Sequence, residues 1–109
     1  MRPLMEFDET TVGVLDLLAP LGVIVPQHLF GAVGLYLEER IFGIVHDGTV
    51  YFRTSDESRE QYVAAGAKPF VFQRADGRAA VLRYHSVPDE VLADRDLACG
   101  WALRATAIE

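Results

Sequence analysis

One cysteine, Cys99, stands among the 109 residues. No internal disulfide can form, and a reducing compartment suits the chain. No apolar run reaches the roughly 18 residues that a bilayer-spanning helix needs, and the first residues lack the pattern of a secretory leader. A cytoplasmic protein with no membrane contact is expected. Basic charge is also short: 10 Lys and Arg stand against 16 Asp and Glu, for a net charge of −6. Nucleic-acid binders draw most of their affinity from clustered basic side chains, and these ten are scattered. Arg40, Arg53, Arg74, Arg78 and Arg83 fall in or beside predicted strands and offer the one route to a local basic patch. No direct, sequence-specific nucleic-acid binding is expected.

Recognisable reaction chemistry is missing too. There is no nucleophile elbow, zinc-protease, Walker or dinucleotide-binding pattern. His28, His46 and His85 are not spaced as metal ligands, and Cys99 has neither His nor a second Cys nearby in sequence, so it reads as a small buried hydrophobe. The acidic pairs Glu38-Glu39, Asp56-Glu57 and Asp89-Glu90 fall at turns or first helical turns, where capping and solvation account for them. No catalytic residue, cofactor or metal is expected.

What the chain does have is strand. Half of its residues are hydrophobic, and a length near 100 residues suits a single domain, 1–109, with one core. Residues 30–54 read as a meander with strands over about 29–38, 40–45 and 50–53. Asp47-Gly48 is a type I′ hairpin pair, while Glu38-Glu39-Arg40 has no such turn chemistry. Gly31 and Gly34 suggest a bulge or a close backbone approach. A phosphate cradle or an RNA-binding GxxG loop would need a helix to follow, and Leu35-Tyr36-Leu37 is strand.

Before the meander, Val12, Leu15 and Leu18 recur at helical spacing behind a cap at Asp8, and Pro20 and Gly22 end that helix. Residues 23–27, interrupted by Pro26, read as an extended connection. After the meander, Thr54 or Ser55 caps a helix, Thr54 with Glu57 fitting a capping box, and Gly66 closes it. A second hairpin, over 69–74 and 79–85, turns at Asp76-Gly77. A short turn at 89–92 and a last helix capped by Asp94 or Asp96 follow. The expected class is α+β: one antiparallel five-stranded sheet with helices packed on it, in the order α-β-β-β-α-β-β-α.

Strict alternation divides the strands into two faces. Phe42, Ile44, Val50, Phe52, Phe70, Phe72, Leu82 and Tyr84 form an aromatic-rich set that suits a core under the helices. The opposite set keeps Ile41, Val45, Tyr51, Val71 and Val81 where a solvated face would be polar. Cover by a partner is expected there, and a homodimer is the simplest form of it. A groove between sheet and helices, lined by Tyr36, Tyr84 and His85, is the alternative site, for a small molecule or a peptide.

An ordered set of segments supports a family resemblance. Leu29-Phe30-Gly31-Ala32-Val33-Gly34-Leu35-Tyr36-Leu37 is followed by Arg40-Ile41-Phe42-Gly43-Ile44-Val45 and Val50-Tyr51-Phe52-Arg53-Thr54. Then come Ala64-Ala65-Gly66-Ala67-Lys68-Pro69-Phe70-Val71-Phe72 and Leu82-Arg83-Tyr84-His85-Ser86-Val87-Pro88-Asp89-Glu90, with Trp101 in the last helix. Together they resemble the N-terminal domain of the TfoX/Sxy family of bacterial competence regulators, over about residues 15–107. The resemblance implies the same order of elements, a layout similar to type III secretion chaperones, and a tendency to self-associate. It further implies a non-enzymatic protein-interaction module in transcriptional regulation. Full-length members add a second, helical domain and act alongside the catabolite activator protein.

Overall fold

The computed structural model describes residues 6–108. Helix α1 (Glu9–Leu17) begins where the Asp8 carboxylate accepts the Thr11 N–H at 2.8 Å. A 3-10 turn at Ala19–Leu21 follows, carrying Pro20. Six strands come next, interrupted once: β1 (Ile24–Leu29), β2 (Ala32–Leu37), β3 (Arg40–His46), β4 (Thr49–Arg53), then helix α2 (Asp56–Ala64), then β5 (Pro69–Gln73) and β6 (Ala79–Ser86). Helices α3 (Asp89–Leu92) and α4 (Arg95–Thr106) end the described chain.

The α+β class and the single antiparallel sheet are as expected, but the sheet has six strands, not five, in the order β1-β2-β3-β4-β6-β5. The extra strand is β1, in the segment expected to be a connection. Pro26 is tolerated because β1 is an edge strand, where a missing N–H can face away from its one neighbour. The strand expected over 29–38 is broken at Phe30-Gly31, whose φ values of 50° and 82° make a hairpin turn between β1 and β2. Glu38 and Glu39 also have positive φ, 50° and 69°, as do Asp47 and Gly48, 50° and 78°. Three successive hairpins therefore turn on paired left-handed residues, and only the third does so with the expected Asp-Gly pair.

A single extra residue sets the two faces of the sheet. Leu35 pairs with Gly43 and Tyr36 with Ile41, so Phe42 has no partner of its own on β2. Such a bulge reverses the side-chain alternation beyond it. Phe42 and Val45 consequently share the helix-covered face, and Ile44 moves to the other. Val33, Leu35, Phe42, Val45, Val50 and Phe52 form the main core with Val14, Leu18, Tyr62 and Val91. Helix α4 packs on β3 and β4. It buries Ala98, Ala102 and Ala105, whose small side chains let the helix lie close to Phe42 and Phe52, while Leu97 is left exposed.

The opposite face has a core of its own. Ala32, Ile44 and Phe70 are buried together there, with Ile41, Tyr51, Phe72 and Tyr84 packed around them. Pro69 pairs with His85 but Phe70 with Leu82, an offset that leaves Arg83 and Tyr84 extra on β6. The hairpin bends at that offset and folds over the outer face. Phe70 lies tilted at 4.9 Å from the Tyr51 ring and edge-on at 5.5 Å from His46, and Phe72 meets Phe30 edge-on at 6.0 Å. The apolar face expected to await a partner is thus largely covered by the chain's own hairpin.

Candidate functional site

The expected interface set divides among three environments. Val45 is 1% exposed inside the main core, which removes it from any surface; the cause is the bulge at Phe42. Ile41 and Tyr51 belong to the second cluster, under Phe70 and Phe72. Val71 and Val81 stand opposite each other on β5 and β6 and remain exposed, at 47% and 67%.

The expected groove set also divides. Tyr36 and Tyr84 sit on the outer face. Gly34 lies beneath Tyr36: a Cβ there would come within 2.9 Å of Tyr36 Cε1 and 3.2 Å of Ile41 Cδ1, so the missing side chain makes room for the ring. Burial raises the pKa of the Tyr84 hydroxyl, with Arg53 lowering it and Tyr36 raising it further. His85 lies on the opposite, helix-covered side, 5% exposed and opposite Phe52.

Among the described residues, His85 and Thr54 are buried polar side chains that pair with each other. The helix N-cap is Ser55, not Thr54: Ser55 Oγ accepts the Ser58 N–H at 3.1 Å, and Ser58 Oγ accepts the Ser55 N–H at 2.8 Å. Thr54 is therefore free of capping, and its buried hydroxyl meets His85 Nδ1 at 2.9 Å. The Thr54 N–H bonds to the Arg83 carbonyl at 2.8 Å, tying the start of α2 to β6. The His85 ring lies 6.0 Å from that of Tyr62, which in turn meets Trp101 edge-on at 4.7 Å. Burial, followed by the charge of Arg59, lowers the pKa of the imidazole below its ordinary value of 6.5. The ring is neutral at pH 7.

An open groove of about 660 Å³ runs between α2 and the β5–β6 hairpin, with His85 among its lining residues. Val63, Val81 and Leu82 supply exposed apolar surface; Asp56, Arg59, Glu60 and Arg83 supply charge. Tyr36 and Tyr84 do not line it. Of this groove, sequence reasoning found His85 and missed α2, whose positions 56, 59, 60, 63 and 64 share one helical face.

The remaining candidates are structural. Cys99 is half-buried, its thiol 3.7 Å from the Leu17 carbonyl oxygen. Arg40 and Arg53 both donate to the Ile108 carbonyl, at 2.9 and 3.5 Å, and Arg95 donates to the Asp16 carbonyl at 2.9 Å. Arg83 faces Asp56 at 3.5 Å, with both side chains exposed, a contact of little energetic weight. Among the described residues no three His, Cys, Asp or Glu side chains gather as a metal site, and no helix is long and apolar enough to cross a membrane.

A hairpin-rich sheet with helices on one face and a self-covered second face is therefore the frame for the groove that His85 lines. The sequence matches the TfoX N-terminal domain over residues 16–108, and the chain belongs to that family. It is similar to Protein Sxy of Escherichia coli (strain K12), with 30% identity over 76 residues. That alignment covers 70% of this chain and 36% of Sxy, so the chain spans little more than a third of that relative's length.

Proposed function

We infer that the chain is a non-enzymatic interaction module of the competence-regulator type, acting in transcriptional regulation through protein contacts. The observation that carries this reading is the family match across residues 16–108, together with the likeness to Sxy. The family resemblance implies a regulatory role beside the catabolite activator protein, and the single cysteine suits a place in the cytoplasm. Direct, specific DNA binding is not part of the reading. The net charge is −6, and Arg40 and Arg53 both donate to the Ile108 carbonyl. The test is transcript abundance of DNA-uptake genes in the source cells after the gene is deleted and then restored. The reading expects a fall that the restored gene reverses; unchanged transcripts contradict it.

Self-association is proposed on a smaller surface than the sequence suggested, centred on Val71 and Val81. Sedimentation at tens of micromolar tests it: a dimer that Val71→Lys dissociates supports it, and a clean monomer ends it.

A second reading, a domain that binds a small molecule or peptide, is favoured by one observation. A buried histidine lines a groove edged by exposed valines.

A further inference from the structure

The geometry points to the groove between α2 and β6 as a docking site for an extended peptide segment, which sets an aliphatic side chain against Val63 and Val81 and a backbone carbonyl on His85 Nε2. This deepens the interaction-module reading and rests on it.

Thr54 is 2% exposed, and its hydroxyl has one hydrogen-bond partner among the described residues, His85 Nδ1. A buried donor without an acceptor is rarer in folded proteins than an acceptor left short of a second bond. The hydrogen-bond network therefore assigns the Thr54 proton to Nδ1 and the ring's own proton to Nε2. Nε2 has no partner among the described residues, yet it is not sealed from solvent. His85 and Arg59, whose charge acts on the ring, line the same groove, and the proposal places Nε2 there. The site thus offers one fixed donor at the foot of a wall of exposed aliphatic groups, Val63 at 57% and Val81 at 67%.

Charge selects the kind of acceptor. Asp56 and Glu60 stand against Arg59 and Arg83 along the groove, two of each sign, and Arg83 already faces Asp56. A balanced lining gives little net attraction for an anion or a cation. It suits a neutral acceptor, and a peptide carbonyl beside an aliphatic side chain is the common form of that chemistry. The groove's 660 Å³ lies within the roughly 300–1,000 Å³ of small-ligand sites and holds a few residues.

The test titrates N-acetyl-leucine N-methylamide, a neutral peptide fragment, into the purified isotope-labelled chain at millimolar concentration. Saturable shifts are expected at the His85 ring nitrogens and at the Val63 and Val81 methyl groups. Val63→Glu changes an exposed position on α2 and should weaken binding at least about tenfold. Val63→Thr, nearly the same shape, supplies the same comparison should the first variant unfold. Hexanoate keeps the aliphatic chain and replaces the amide with a carboxylate; it should bind about tenfold more weakly. The proposal is overturned by the absence of saturable shifts, by shifts that survive both Val63 variants, or by hexanoate matching the amide. Because the purified chain is used, failure here leaves the transcript test standing, and failure of that test leaves this titration standing.

Discussion

Ile41 and Val45, four residues apart in one strand, lie on opposite faces of the sheet. Even spacing in an unbroken strand would put them on the same face. The extra residue at Phe42 separates them, sending Val45 to the helix-covered core and leaving Ile41 under the β5–β6 hairpin.

Val45→Lys therefore distinguishes the two possible placements. A surface valine would tolerate the change within about 0.5 kcal/mol, whereas an unpaired ammonium in the core costs more than about 4 kcal/mol. The expected result is loss of cooperative unfolding by circular dichroism. A folded Val45→Lys chain would place Val45 outside the core.

Gly43 lies next to the bulge and faces the same core. A Cβ there would meet Leu35 Cδ1 and the Tyr51 carbonyl oxygen, each at 3.1 Å. The carbonyl belongs to the neighbouring strand's backbone and cannot rotate away. Gly43→Ala is expected to destabilise by about 1–3 kcal/mol in urea denaturation. The normal gain from replacing a flexible glycine, about 0.4–1 kcal/mol, would be the contrary result.

How far the fold could be read from residues depended on how local each signal was. Asp8, Asp94, Gly66 and Asp47-Gly48 act within a few positions of themselves, and the structure uses all of them as the sequence suggests. The β1 strand was hidden because Pro26 argues against a strand until the segment is known to lie at an edge. The bulge left no mark at Phe42 itself; it arises from how β3 pairs with β2. One unseen residue then exchanged Ile44 and Val45 between faces and carried Val45, alone of the expected interface, into the main core. His85 was legible as a polar group ending a strand. Its bond to Thr54 was not, because Thr54 looked like a helix cap.

Burial of His85, with the charge of Arg59 beside it, has a pH signature. The folded-state pKa of His85 lies below 6.5, so the unfolded chain binds the extra proton first as pH falls. The stability this group contributes is complete above about pH 6.5 and is lost progressively below it, towards the depressed folded-state pKa. Thr54→Val removes a donor that favours the neutral ring. Its expected effects are a loss of about 1–3 kcal/mol and an upward move of the His85 titration followed by NMR. An unmoved titration would show that the hydroxyl does not hold the ring neutral.

The β2–β3 turn carries strain. Glu38 and Glu39 both hold positive φ, which costs an ordinary side chain about 1–2 kcal/mol per residue. Glu39→Gly is expected to raise stability by about 1 kcal/mol and the melting temperature by a few degrees. A lower melting temperature would mean that the Glu39 side chain makes a compensating contact.

The claim that the domain works through protein contacts is tested most directly by placing a photo-crosslinking residue at Val63, exposed on the α2 groove, in living cells. A second chain with the crosslinker at Ala75, in the loop between β5 and β6, serves as control. The account predicts a discrete covalent adduct to another polypeptide from position 63, absent from position 75. Adducts to nucleic acid alone, or the same products from both positions, would contradict it.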